Sequence, residues 1–198
     1  MNKSAKTDYP VHDWIAQRWS PRAFAEKPVP RDVVARLFEA ARWAPSCYNE
    51  QPWAFLVALK EDPEEYQRAL RCLVEFNQSW VKTAPVVVLT LARKTFRHNG
   101  KPNAHGWHDV GLAVANLTYQ AAAEGLHVHQ MAGIEPDVVR RTYALPEDVD
   151  PVTAVAVGYL GDPSILPEGL AAKEIEERTR RPQSDFVFAS AWGRPWKP

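Results

Sequence analysis

The stretch APSCYNEQPW, residues 44–53, joins a helix-patterned segment to a strand-patterned one. Upstream, PVPRDVVARLFEAARWAP carries Val33, Val34, Leu37, Phe38, Ala41 and Ala44 at helical spacing. Pro30 suits the first turn of such a helix and Pro45 ends it. Downstream, WAFLVAL at 53–59 is a short apolar run that predicts a buried strand. Between them Ser46, Cys47, Asn49 and Gln51 crowd hydrogen-bonding side chains into a segment fenced by Pro45 and Pro52. A plain helix-to-strand turn accounts for the prolines. A loop that holds a ligand accounts for the polar side chains as well.

Working outward, PVVVLTLA at 85–92 is rich in β-branched residues and predicts a central strand. PVTAVAVGYLG at 151–161 predicts another, and HVHQMAG a short extended segment. Helical patterns fall around Asp13 to Arg18, from Pro63 onward as one helix or two, and over WHDVGLAVANLTYQAAAEG, closed by Gly125. EPDVVRRTYAL and KEIEERTRRP, which runs up to Pro182, are also helix-like. Strands alternate with helices without a linker or repeat. This predicts one domain over residues 1–198, of the α/β or α+β class.

Composition narrows the function. The formal net charge is zero, which removes the basic excess that nucleic acid or an anionic membrane would require. No apolar run approaches the roughly 20 residues of a membrane helix. The N-terminus lacks a signal-peptide core, and Cys47 and Cys72 make no disulfide framework. The expectation is a cytoplasmic protein with no membrane or nucleic-acid partner.

Familiar site motifs are mostly missing. No two glycines have G-x-G spacing and no Gly-Lys-Ser/Thr occurs, which excludes a dinucleotide fingerprint and a P-loop. His105 and His108, followed by Asp109, and the pair His127 and His129 have ligand-like spacing, but no third cluster joins them. No metal site is predicted. Cys47 has no histidine near it in sequence to act as its base. The run Lys173 to Arg181 reads by itself as a solvated face, although Arg178, Arg180 and Arg181 suit a phosphate. Arg18, Ser20 and Arg22 alternate in RWSPRAF, so an extended backbone aims all three one way.

These pieces occur in a telling order. RWSPRAF, then the helix running into APSCYNEQPW, then FNQSWVKTAPVVVL, HDVGLAVANLTYQAAAEGL, HQMAGI, GYLGDP and RTRRP together resemble the FMN-dependent nitroreductase family across most of residues 12–190. The resemblance implies an α+β fold with a central mixed sheet flanked by helices. It also implies an intertwined homodimer whose C-terminal segment, with Phe186, Phe188, Trp192 and Trp196, packs on the partner.

It further implies FMN at the subunit boundary. Arg18 and Ser20 would meet the phosphate or ribityl chain, with Trp19 contributing backbone or packing, and Arg178 and Arg180 would complete the phosphate clamp (Arg181 if the register slips by one). Arg22 would reach the pyrimidine end of the flavin and Asn77 its polar edge. Met131, Ala132 and Gly133 would form the segment at its reactive edge. Pro45, Ser46, Cys47 and Asn49 would come from the second subunit. NADH or NADPH would supply the electrons, and a nitroaromatic, quinone or activated alkene would accept them. No catalytic side chain is expected, because the flavin carries the chemistry. Phe96, His98 and Trp107 are expected around the acceptor. Trp19, Cys47-Tyr48 and Ala132 depart from the usual residues at their positions. Rival readings are a flavin-storing protein without turnover, a flavin-dependent reductive dehalogenase or dehydrogenase, and an α/β domain without flavin.

Overall fold

A computed structural model describes residues 3–197. In chain order the elements are α1 (Asp13–Gln17), α2 (Arg31–Arg42), β1 (Trp53–Leu59), α3 (Pro63–Leu70), α4 (Glu75–Val81), β2 (Val86–Arg93), α5 (Gly106–Ala123), β3 (His127–Met131), α6 (Pro136–Thr142), β4 (Val149–Gly158) and α7 (Glu168–Ile175). Local chemistry sets many boundaries. Asp62 caps α3 through its side chain, with Pro63 in the first turn, and Pro30 and Pro136 stand at the starts of α2 and α6. The segment after Pro63 divides into two helices, because Cys72 to Val74 leave the helix to bond Gly133 and Glu135 across the chain.

The sheet has the order β1-β2-β4-β3 and the fold is α+β. The family resemblance implies a mixed sheet, but among the described residues all three strand pairs are antiparallel. β2 and β3 do run the same way, as the crossover through α5 dictates. β4 inserts between them and pairs antiparallel with both.

β2 is buried on both faces, which is why it reads as a continuous apolar run. Val87, Leu89 and Leu91 face a cluster with Phe24, Tyr66 and Trp80, while Val86 and Val88 face Leu37, Ala113 and Leu117 from α2 and α5. Between them Thr90, fully buried, is satisfied by the Thr153 hydroxyl at 2.8 Å.

The C-terminal third departs from the periodic reading. Helix α7 begins before KEIEERTRRP and stops at Ile175, and Glu176 is extended with ψ of 148°. Tertiary bonds replace the next helical turn. The Lys3 ammonium donates to the Glu174 carbonyl at 2.7 Å, and Arg178 is drawn to the N-terminal segment. The arginines therefore lie on extended chain beyond the helix. The final segment folds back on itself through a Phe188–Pro195 bridge and a Phe188–Trp192 ring contact, leaving Trp192 92% exposed. No helix among the described residues is long and apolar enough to cross a membrane.

Candidate active site

Three guanidiniums converge where the chain leaves α1 and α7. Arg18 Nη1 donates to Ser20 Oγ at 3.2 Å, so the alternating pair does face one way. Arg178 Nη1 donates to the carbonyls of Lys3 and Ala16, both at 2.7 Å, which fixes it beneath the N-terminal segment. Burial, and then the charge of Arg180, holds Arg18 below the usual arginine range; burial, and then Arg18 and Arg180, does the same to Arg178. Of the three carboxylates that line the same cleft, Glu177 pairs with Lys6, Glu174 lies 4.0 Å from Arg22, and Glu176 has no ion pair among the described residues. Among the described residues none of the three arginines has an ion-pair partner. They line a cleft of about 240 Å³ together with Lys3, Ser20 and Arg22. Cations outnumber carboxylates in its lining, and clustered guanidiniums without ion pairs of their own suit an anion. Arg181 is not among them; it lies over the Phe186 ring.

A strip of contacts continues from this cleft. Glu174, 1% exposed, accepts the main-chain N–H groups of Arg22 at 2.6 Å and Ala23 at 2.9 Å, and lies 4.0 Å from the Arg22 guanidinium. Arg22 in turn sits over Trp80, 6.0 Å from the ring centroid. One turn earlier on α4, Asn77 donates to the Gly133 carbonyl at 2.9 Å. Buried polar atoms along this strip, Arg22 Nε, Trp80 Nε1 and Glu174 Oε2, have no hydrogen-bond partner among the described residues. Unpaired buried groups are costly, so their concentration here marks a site that something else completes.

The loop 44–53 lies elsewhere. Its backbone turns through left-handed Tyr48, Asn49 and Gln51, with φ of 54°, 56° and 51°. Ser46 Oγ accepts from the Gln51 N–H at 2.9 Å, and Asp109 Oδ2 accepts from the Cys47 N–H at 3.0 Å. Asp109 stands in the first turn of α5, whereas Ala122, near its other end, lies beside Arg18. The thirteen helical steps from Asp109 to Ala122 correspond to about 20 Å. One chain thus brings Arg18, Ser20, Arg22, Arg178 and Arg180 together, and joins Asn77 to Gly133, but keeps Pro45, Ser46, Cys47 and Asn49 apart from the arginines.

The other expected residues are less direct. Trp19 is buried edge-on against His127, 6.0 Å between centroids, under the Lys3 ammonium. Its side chain packs, leaving its backbone for contact. Met131 is in the core, so only its main chain is free to face a ligand, while Ala132 is exposed. Sequence reasoning missed Glu174 as a buried acceptor and weighed Asp109 only beside His105 and His108 as a metal ligand. Each had a signal: Asp109 shares the inward stripe of Val110, Ala113 and Leu117, and Glu174 follows Leu170 by one helical turn on its buried face.

The nitroreductase family model matches residues 15–159. The chain belongs to the nitroreductase family. Among solved structures, an oxidoreductase described as containing FMN superposes with a TM-score of 0.89 at 37% identity, covering 97% of each chain. A putative NADH dehydrogenase/NAD(P)H nitroreductase of Methanothermobacter thermautotrophicus is 26% identical over 79% of this chain and 80% of its own length. Iodotyrosine deiodinase 1 of rat is 27% identical over 52% of this chain and 45% of its own. The names of these relatives support an oxidoreductase.

Within this nitroreductase-family chain, the arginine cleft lies partly outside the family match. Arg18, Ser20, Arg22, Asn77 and Gly133 fall inside residues 15–159, whereas Lys3, Glu174, Arg178 and Arg180 fall outside. Lys3 and the segment 174–180 meet at the cleft, and similarity over residues 15–159 does not report their contacts.

Proposed function

We propose that this chain is an FMN-dependent oxidoreductase, working as a homodimer, that moves reducing equivalents from NADH or NADPH to a small oxidised acceptor. The observation that carries this reading is the unpaired guanidinium cluster at one end of a strip that reaches Asn77 and Gly133. A phosphate monoester needs cations without internal partners, and a flat polar ring needs donors and acceptors a fixed way along from it. The residues present fit both demands.

Arg18, Ser20, Arg178 and Arg180 would hold the phosphate. Arg22, oriented by Glu174, would set positive charge against the pyrimidine end of the ring, where negative charge develops on reduction. Asn77 has one amide hydrogen committed to Gly133, which leaves its oxygen for the ring edge. The main chain of Met131, Ala132 and Gly133 would border the reactive edge. Pro45, Ser46, Cys47 and Asn49 would close the site from the second copy, which accounts for their distance from the cleft in one chain. The outward aromatics of the tail, Phe186, Trp192 and Trp196, supply apolar surface for that partner. Bound flavin would supply the hydride chemistry, and the side chains would bind, orient and exclude water.

The test is the visible spectrum of purified protein before and after anaerobic NAD(P)H. A flavin band that bleaches supports the reading, and a protein that stays colourless after incubation with FMN ends it. A flavin band that NAD(P)H does not bleach points to storage without turnover. The deiodinase relative favours a second reading, reductive removal of an aryl halogen as halide. Halide release from a halophenol by the reduced protein separates it from nitro or quinone reduction.

A further inference from the structure

The loop 44–53 is clasped to a second loop, and beside Asn49 the clasp presents side chains that the cofactor reading does not use. Residues 94–103 form a small hairpin, closed by a Thr95–Pro102 bridge and the Phe96 N–H to Lys101 carbonyl bond at 2.8 Å. Glu50, buried in the cofactor-side loop, accepts the Arg97 N–H on one oxygen at 2.6 Å and meets His98 Nδ1 with the other at 3.3 Å. Asn99 Nδ2 lies 2.9 Å from His98 Nε2. The amide nitrogen faces Nε2 while Nδ1 faces Glu50, so the ring is held from both sides. Both nitrogens of His98 are occupied and only its ring face remains.

Around this fixed ring stand two more. Tyr48 lies 6.0 Å from Phe96 and 6.3 Å from His98, and Phe96 lies 5.4 Å from His98, all tilted or edge-on. Tyr48 remains 86% exposed, in a left-handed conformation flanked by left-handed Asn49. Held strain that displays an aromatic side chain is a feature of ligand clamps. Beside it the Arg97 side chain is 64% exposed, with Nε 4.0 Å from a carboxylate whose oxygens are already engaged. Its terminal nitrogens have no hydrogen-bond partner among the described residues. Tyr48, Glu50, Arg97 and His98 border an open basin of about 630 Å³.

We propose that this basin binds a planar aromatic acid, its ring against Tyr48 and His98 and its carboxylate on the free fork of Arg97. Aromatic faces favour a flat ring, and a guanidinium with open Nη groups favours a bidentate anion. The position of the basin on the loop assigned to the flavin site makes such a molecule the electron acceptor. That role rests on the flavin reading; the binding itself does not.

The experiment titrates benzoate, and benzamide as its neutral counterpart, into the purified protein by calorimetry. Benzoate binds at least ten-fold more tightly than benzamide. Arg97→Gln brings the two within three-fold of each other, and Tyr48→Ala weakens both. Equal affinities in the unaltered protein, or a preference that survives Arg97→Gln, overturn the proposal. With FMN bound and NAD(P)H present, 4-nitrobenzoate exceeds 4-nitrobenzamide in kcat/KM, and the excess disappears in Arg97→Gln. A flavin that bleaches beside an indifferent basin defeats this inference alone. An Arg97-dependent benzoate site on a protein that takes up no FMN defeats the cofactor reading and the acceptor role, and leaves the site.

Discussion

Asn77 Nδ2 donates to the Gly133 carbonyl at 2.9 Å, and a Cβ placed on Gly133 would stand 2.5 Å from that same nitrogen and 2.8 Å from Val74 Cγ2. The bond and the bare backbone require each other. Helix α4 reaches the end of β3 only because no side chain intervenes there.

Gly133→Ala therefore forces Asn77 off its partner or shifts the backbone. The expected cost is about 1–3 kcal/mol, read from chemical denaturation. Gly169→Ala, where a Cβ would meet nothing within 4 Å, serves as the control and is neutral or stabilising. A Gly133→Ala protein as stable as the control refutes the close approach.

Arg18→Ala and Arg180→Ala each remove one cation from the cleft. Each weakens retention of FMN by about 1.5–3 kcal/mol, roughly 10- to 150-fold in dissociation constant. Fluorescence of released flavin measures it. Arg178→Ala does the same and also lowers stability, since its guanidinium holds the carbonyls of Lys3 and Ala16. Unchanged retention in Arg18→Ala and Arg180→Ala puts the phosphate elsewhere.

Glu174→Ala leaves the N–H groups of Arg22 and Ala23 without their acceptor inside the protein. The expected loss is at least 1–3 kcal/mol of stability, the cost of orphaned buried donors. Glu174→Gln keeps one oxygen for those donors and recovers most of that loss. It removes the negative charge beside Arg22, so any bound flavin should become easier to reduce, which a shift of its midpoint potential reports.

Burial pushes His129 down to about 4, against about 6.5 for a free imidazole, while its Nδ1 donates to the Pro21 carbonyl at 2.9 Å. Burial also lowers His127. The unfolded chain takes up a proton near pH 6.5, and the folded chain resists until near pH 4. Stability from this source is therefore complete above about pH 6.5 and declines as the pH falls to about 4, by on the order of 3 kcal/mol for His129. His129→Asn, which keeps a donor for Pro21, flattens this part of the profile. A melting temperature in the original protein that is level from pH 7 to 4.5 contradicts the burial argument.

Removal of residues 184–198 takes away the exposed Phe186, Trp192 and Trp196. The expected result is a weaker dimer, seen as a rise in monomer fraction by sedimentation, together with faster loss of FMN. A shortened chain that remains as dimeric as the full one assigns the tail another role.

The strands of the core and most helices were legible because their signals are local. β1 is bounded as WAFLVAL predicts, and Pro30 and Pro63 mark helix starts by fixing φ and lacking an N–H. Strand direction was harder: the insertion of β4 between β2 and β3 leaves no mark in either strand's composition. The end of α7 was misread because the bonds that end it come from Lys3 and Arg178, the first more than 170 residues away in the chain.

The sequence by itself determined the element types, the candidate residues in their order and the family resemblance, since each depends on neighbours a few positions apart. Only the tertiary structure decided which of those residues share a site. It gathered Arg18, Arg22, Arg178 and Arg180, placed Glu174 and Asp109 as buried acceptors, and set the Ser46 loop at the far end of α5. The physical reason is that charge clustering and satisfaction of buried donors are properties of distance in space, and packing around one sheet brings together groups that chain order holds apart.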